Sequence, residues 1–148
     1  MKKALVAASA AFLAFAAVAA VAQDDPIETR QQIMKDVGKA TGAGAKMAKA
    51  EEPFDAATAE EVFTTIHAKI EQFPQYFPEG SETGGDTEAR PTIWSDREGF
   101  EKAADNLQQV AAKYMADVPQ DLKTFRPAFA EMTRMCGACH EDYRVKKD

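Results

Sequence analysis

Close to its C-terminus the chain carries Cys136-Gly137-Ala138-Cys139-His140, and these are the only two cysteines in 148 residues. That one string constrains the fold more than any other. On a helix, residues three and four apart share a face, so Cys136, Cys139 and His140 would all point at one flat group. The C-x-x-C-H spacing reads as a covalent attachment site for a c-type haem. The two thiols bond to it as thioethers, and the adjacent imidazole can reach the iron as an axial ligand. Two other chemistries use similar residues. A thioredoxin-like redox pair normally opens a helix after a strand, where the helix N-terminus lowers a thiol pKa. Here the pair falls late in a helical stretch with no βαβ pattern. A zinc site needs four tetrahedral ligands, whereas Cys139 and His140 are adjacent and no further cysteine exists.

The N-terminus reads as an export signal. Lys2 and Lys3 precede an alanine-rich apolar run from Leu5 to Val21, and Ala20-Val21-Ala22 is a small-x-small cleavage site. Cleavage after Ala22 leaves residues 23–148, 126 of them, a size for one domain with one core. The run is too weakly apolar for a membrane anchor, so the mature protein is not expected to span a membrane. Its destination is the periplasm, the kind of compartment in which such haem attachment takes place. The formal charge is −6, and because residues 1–22 carry two lysines and no acid, the mature chain stands at −8. Nucleic acid is thereby excluded as a partner, since its phosphates would repel the chain. A partner with a basic patch fits better.

Four helical stretches follow, with no convincing strand and no repeat. The first is expected from about Asp25 to Ala50, with Asp25 as cap and Pro26 in the first turn. Ile27, Met34, Val37, Thr41 and Ala48 fall near one face, while Gly38, Gly42 and Gly44 weaken the propensity or permit close packing. Pro53 and Asp55 open a second helix bearing Ala59, Val62, Phe63, Ile66, Ile70 and Phe73, which Pro74 ends. A long connection from Pro74 to Trp94 is rich in proline and glycine. Ser95-Asp96-Arg97-Glu98 has capping-box spacing. The helix it starts carries Phe100, Ala103, Leu107, Val110 and Tyr114, until Pro119 breaks the chain. The last helix begins at Asp121, or at Thr124 if Pro127 lies in its first turn. Its inner stripe is Leu122, Phe125, Phe129, Met132, Cys136, Cys139 and Tyr143.

Four amphipathic helices with two short links and one long one predict an all-α, antiparallel up-down four-helix bundle. In that topology the first helix starts beside the end of the last. His140 then lies roughly 7–8 Å from the helical terminus and Met34 roughly 12 Å up the partner helix, at 1.5 Å per residue. Met34 can therefore face His140 across a haem, or it can be a core methionine filling a gap. Met132 and Met135 share a helix with His140, and Met47 and Met115 lie farther along the bundle. His67, the other histidine, lies near the second helix's apolar stripe toward the haem end; it is expected at a solvent edge or hydrogen-bonded, with a second histidine ligand to the iron as the alternative. Arg30, one turn before Met34, and Arg144, one turn after His140, can neutralise haem propionates or stand as solvated charges. Trp94 can wall the pocket or staple the third helix.

A C-terminal C-x-x-C-H-x-x-[YF]-R on the last helix of such a bundle, here running to Tyr143-Arg144, resembles the cytochrome c′ family, the class II c-type cytochromes. Arg30-Gln31-Gln32-Ile33-Met34-Lys35, Pro53-Phe54-Asp55 and Pro91-Thr92-Ile93-Trp94-Ser95 fall in the family's order, so the resemblance spans essentially the whole mature chain. It implies one covalent haem c between the first and last helices. It also implies two branches. In the low-spin branch a first-helix methionine is the sixth ligand and electron transfer is the expected role. Ile33 to Gly38 and Phe73 to Pro78 look more like that branch. In the high-spin branch the iron is five-coordinate, nitric oxide or carbon monoxide binds, and many members are homodimers. Arg30-Gln31 is similar to those members, where the arginine approaches a propionate, so Arg30 and Gln31 join Met34 as implied cofactor contacts. The leading expectation is a periplasmic one-electron carrier and not an enzyme, with His140 and Met34 as metal ligands and periplasmic redox proteins as partners. The alternatives are a gas-binding five-coordinate protein and a thiol–disulfide oxidoreductase with free Cys136 and Cys139.

Overall fold

A computed structural model of the chain describes residues 25–146; the expected export signal, residues 1–22, lies outside them. Five α-helices follow one another: α1 (Pro26–Ala48), α2 (Ala56–Gln72), the single turn α3 (Thr92–Ser95), α4 (Arg97–Ala116) and α5 (Leu122–Tyr143). A short 3₁₀ turn, Phe73–Tyr76, extends α2. The only β feature among the described residues is an isolated antiparallel bridge between Ala89 and Arg144.

Carboxylates start each long helix by accepting from amides that have no helical partner. Asp25 Oδ1 takes Ile27 N at 2.8 Å, ahead of Pro26 in the first turn. Asp55 Oδ2 takes Thr58 N at 2.7 Å and Asp121 Oδ1 takes Thr124 N at 2.8 Å. The Thr58 and Thr124 bonds hold the Asp55 and Asp121 carboxyls below the usual range. Two boundaries differ from expectation. The cap of α4 is Asp96, whose Oδ1 accepts from Gly99 N at 3.2 Å, and not Ser95, which ends the preceding turn α3. The last helix takes the earlier start, at Asp121, so Pro127 sits inside α5 on its exposed side, where the amide it lacks would have met Lys123 O.

α1 packs on α2, α2 on α4, α4 on α5, and α5 back on α1. The links 49–55 and 117–121 are too short for anything but antiparallel neighbours. The result is an all-α up-down four-helix bundle. In α2 the predicted stripe is the buried one: Ala59, Val62, Phe63, Ile66 and Ile70. In α1 it is not. Of the expected stripe only Val37 is fully buried; the other buried residues are Arg30, Ile33, Gly44 and Met47, so the inward face is rotated from the one that Ile27, Met34, Thr41 and Ala48 define.

The buried apolar residues form two clusters. The larger fills the bundle, with Phe63, Ile66, Phe125 and Met132 at 0% exposure. The smaller, Phe77, Ile93, Phe100 and Tyr143, closes the end where α5 finishes and α4 begins. Phe73 borders both, with its ring 4.9 Å from Phe77 and 6.2 Å from Phe100.

Candidate functional site

Cys136, Cys139 and His140 lie in the last two turns of α5. Cys136 packs against the larger cluster and Cys139 against the smaller, so the motif straddles their seam. Both thiols are free and partly buried. Burial pushes the Cys136 thiol up, and burial with the Cys136 and Asp142 neighbours pushes Cys139 up to about 11. Each is a protonated thiol at neutral pH. His140 is exposed. Partial desolvation, then the Arg144 charge, lower its pKa against the pull of Glu88. The neutral imidazole is the form that ligates a metal. Beside Cys139 a surface groove of about 210 Å³ runs between α4 and α5, lined by Gly99, Ala103, Met135, Ala138 and Tyr143 among others. Two unpaired thiols at i and i+3 with a neutral imidazole at i+4 are a donor set that fits haem c and falls short of a four-ligand zinc site. Among the described residues no group of three or more His, Cys, Asp or Glu converges on a metal position.

The other predicted site residues lie on α1. Met34 is half-buried and packs against the larger cluster between the buried Ile33 and Val37. Gln31 is half-buried. Arg30 is buried at 4% exposure and reaches the connection after α2. Its Nη1 donates to Tyr76 O at 3.3 Å and Ser81 Oγ at 3.1 Å, and its Nη2 to Ser81 O at 2.8 Å and Thr87 Oγ1 at 2.6 Å. The guanidinium lies 4.7 Å from the Phe77 ring centroid and 5.7 Å from that of Trp94. Trp94 donates Nε1–H to Pro78 O at 3.0 Å, which ties α3 to the same connection. Arg144 is exposed and pairs with Glu88 at 2.6 Å. His67 is half-buried on α2. Met47 is core, and its sulfur accepts from Asp55 N at 3.4 Å.

Sequence reasoning missed the residues that hold the end of α5. Tyr143 donates to Asp96 Oδ2 at 2.8 Å, Arg90 Nη1 to Glu141 O at 2.8 Å, and Thr92 Oγ1 to Asp142 O at 3.0 Å. The placement of Pro91 between Arg90 and Thr92 gave only a turn signal.

No helix among the described residues is long and apolar enough to cross a membrane. The family model described as Cytochrome C' matches residues 25–144. A cytochrome c-556 of Agrobacterium tumefaciens (strain II Chrys) is 38% identical over 121 residues, 82% of this chain and 98% of the relative. The solved cytochrome c′ of Rhodopseudomonas palustris superposes with a TM-score of 0.81 at 33% identity, over 85% of this chain and all of that one. A nitric oxide complex of a mutant cytochrome c prime from Alcaligenes xylosoxidans superposes at 0.72 and 29% identity, over 83% of this chain and 96% of that one. Up-down bundles of this kind are the known architecture of cytochromes c′. A match that begins at the cap of α1 and ends at the residue after α5 leaves one conclusion: the chain belongs to the cytochrome c′ family of c-type cytochromes.

Proposed function

We propose that this is a periplasmic cytochrome whose Cys136 and Cys139 hold haem c, whose His140 is the single protein ligand to the iron, and whose opposite face takes a small diatomic gas, nitric oxide or carbon monoxide. The observation that carries the reading is similarity, over 83–85% of this chain, to bundles named cytochrome c′, one of them solved as a nitric oxide complex. Met34 supports it from within this chain, because its side chain packs against the larger core cluster as a gap-filling methionine does. Once attached, haem c would supply an iron able to change oxidation state and to bind a small gas. The protein supplies anchoring, orientation and exclusion of water. Cys136 and Cys139 fix two points one helical turn apart, and His140 presents its neutral imidazole from the same face. Arg30, Gln31 and Arg144 are the polar groups assigned to the propionate edge; for Arg30 this requires exchanging some of its loop partners.

A second reading, electron transfer with Met34 as sixth ligand, draws support from the cytochrome c-556 relatives and from the seat of Met34 on α1, which packs directly on α5. The thiol–disulfide reading loses ground, because raised thiol pKa values make poor nucleophiles at neutral pH.

Absorption spectra of the purified ferric and ferrous protein test this. A high-spin ferric spectrum, carbon monoxide uptake by the native ferrous form and no change in Met34→Ala are expected. A methionine–iron charge-transfer band that Met34→Ala abolishes would replace this reading with the second. A mass showing bare polypeptide, from a host able to attach haem, would sink both.

A further inference from the structure

A helix leaves its last carbonyls without amide partners. Many helices solve this with a left-handed glycine after the final turn. α5 does not: Arg144 follows Tyr143 with φ −116° and ψ 133°, so the chain leaves the helix extended. Arg144 N–H closes back on His140 O at 3.2 Å. The next three carbonyls take donors from one distant segment. Glu141 O accepts from Arg90 Nη1 at 2.8 Å, Asp142 O from Thr92 Oγ1 at 3.0 Å, and Tyr143 O from Arg90 N at 3.0 Å. Val145 N donates to Glu88 O at 2.7 Å, and the Arg144 guanidinium pairs with Glu88 at 2.6 Å, so the two segments run antiparallel. The donor segment is itself fixed, because Ile93, at 2% exposure, is rooted in the smaller apolar cluster.

We propose that Arg90 and Thr92 are positioning residues for His140, capping the end of α5 from outside the helix and so setting the attitude of the turn that carries the imidazole. The inference rests on the reading of His140 as a haem ligand. Helix ends fray by default. Three consecutive carbonyls held from another element cannot rotate with the frayed turn, and a ligand's orientation follows from what holds its backbone and ring. The bonds from Arg90 and Thr92 side chains are solvent-exposed, so each contributes at the low end for a hydrogen bond. Their effect is on orientation more than on stability.

The test uses haem-loaded protein with Thr92→Val, Thr92→Ser and Arg90→Met; the last keeps the backbone bond to Tyr143. Two quantities are read: hydrogen exchange of the Arg144 amide, and the hyperfine-shifted ring resonances of His140. Thr92→Val and Arg90→Met should each speed the Arg144 amide roughly three- to tenfold and move the His140 resonances, and Thr92→Ser should restore both. Unchanged exchange overturns the cap. Faster exchange with parental His140 resonances leaves a structural cap only and overturns the positioning role. If the wild-type protein proves to carry no haem, the exchange arm still reads the cap, while the functional reading and the positioning role fall together. Should Arg90→Met fail to fold, the Thr92 pair decides alone.

Discussion

Arg30 buries a guanidinium whose hydrogen-bond partners are two hydroxyls and two carbonyls rather than a carboxylate. Desolvation lowers its pKa, and the charges of Asp25 and Glu82 only partly offset that. The planar fork makes this arrangement workable, since it reaches Tyr76, Ser81 and Thr87 at once while stacking on Phe77. Arg30→Ala is therefore expected to cost about 2–3 kcal/mol, through lost charged hydrogen bonds and packing, and Arg30→Lys to recover only part of it. Urea midpoints would measure both, and parental stability in Arg30→Lys would show that the fork geometry is irrelevant. Tyr143 gives a pH prediction. Burial first, then the bond to Asp96, raise its phenol from 10.0 to about 12. The folded state thus binds the proton more tightly than the unfolded chain. The associated stability is complete below pH 10 and is lost as pH rises through 12. In haem-loaded protein Tyr143→Phe should be less stable than the parent by about 1 kcal/mol near pH 8, with the gap closing above pH 10. A gap constant to pH 12 would show that the phenol does not titrate as argued.

At the scale of elements, α1 separates glycines of opposite kinds. A Cβ at Gly44 would stand 2.4 Å from Phe129 Cε2, whereas one at Gly38 or Gly42 would meet nothing within 4 Å. Gly38→Ala and Gly42→Ala should each stabilise by about 0.5–1 kcal/mol through helix propensity. Gly44→Ala should destabilise by about 1–2 kcal/mol, because displacing a ring stacked on Phe125 outweighs that gain. Thermal melts of the three variants would show it; stabilisation by Gly44→Ala would mean that Phe129 moves aside at no cost. The same contrast explains what could be read from sequence. In α2 and α5 the buried residues are apolar and recur at helical spacing, so hydropathy locates their inward faces; in α4 it finds Phe100 and Leu107, but the remaining buried positions are Ala104 and Ala111 where the spacing predicts Ala103, Val110 and Tyr114. In α1 the inward positions include Arg30 and Gly44, and no hydropathy pattern selects an arginine or a glycine. Arg30 is inside because acceptors 46 to 57 residues away meet it there. The C-x-x-C-H site was legible because its chemistry is local, three residues within five. The hold on its far side was not, since Arg90 and Thr92 lie some fifty residues from the carbonyls they cap. Asp96 displaced Ser95 as cap for a similar reason: the turn α3 claims Ser95 first.

For the whole molecule, the division of the apolar interior decides how the site is supported. The larger cluster draws on all four long helices and contains side chains with no exposure, among them Phe63 packed against Phe125 and Tyr114. The smaller is an aromatic knot of Phe77, Phe100 and Tyr143 with Trp94 at its edge. It is built from the ends of α4 and α5 and from the connection that Arg30 straps down. Phe73 packs against both, and the knot is expected to open separately from the bundle. Cys139 borders the knot and Cys136 the bundle core, which puts the attachment motif across the boundary between the two clusters. Phe63→Ala should lower global stability by about 3–5 kcal/mol and speed the slowest-exchanging amides of α2, α4 and α5 together. Phe77→Ala should instead speed amides within residues 76–96 and at the end of α5, leaving the slowest bundle amides near their parental rates. Native-state hydrogen exchange on both variants distinguishes the cases. If Phe77→Ala accelerates the slowest bundle amides as much as it does those of the knot, the two clusters unfold as one, and the motif's position at their seam has no dynamic consequence.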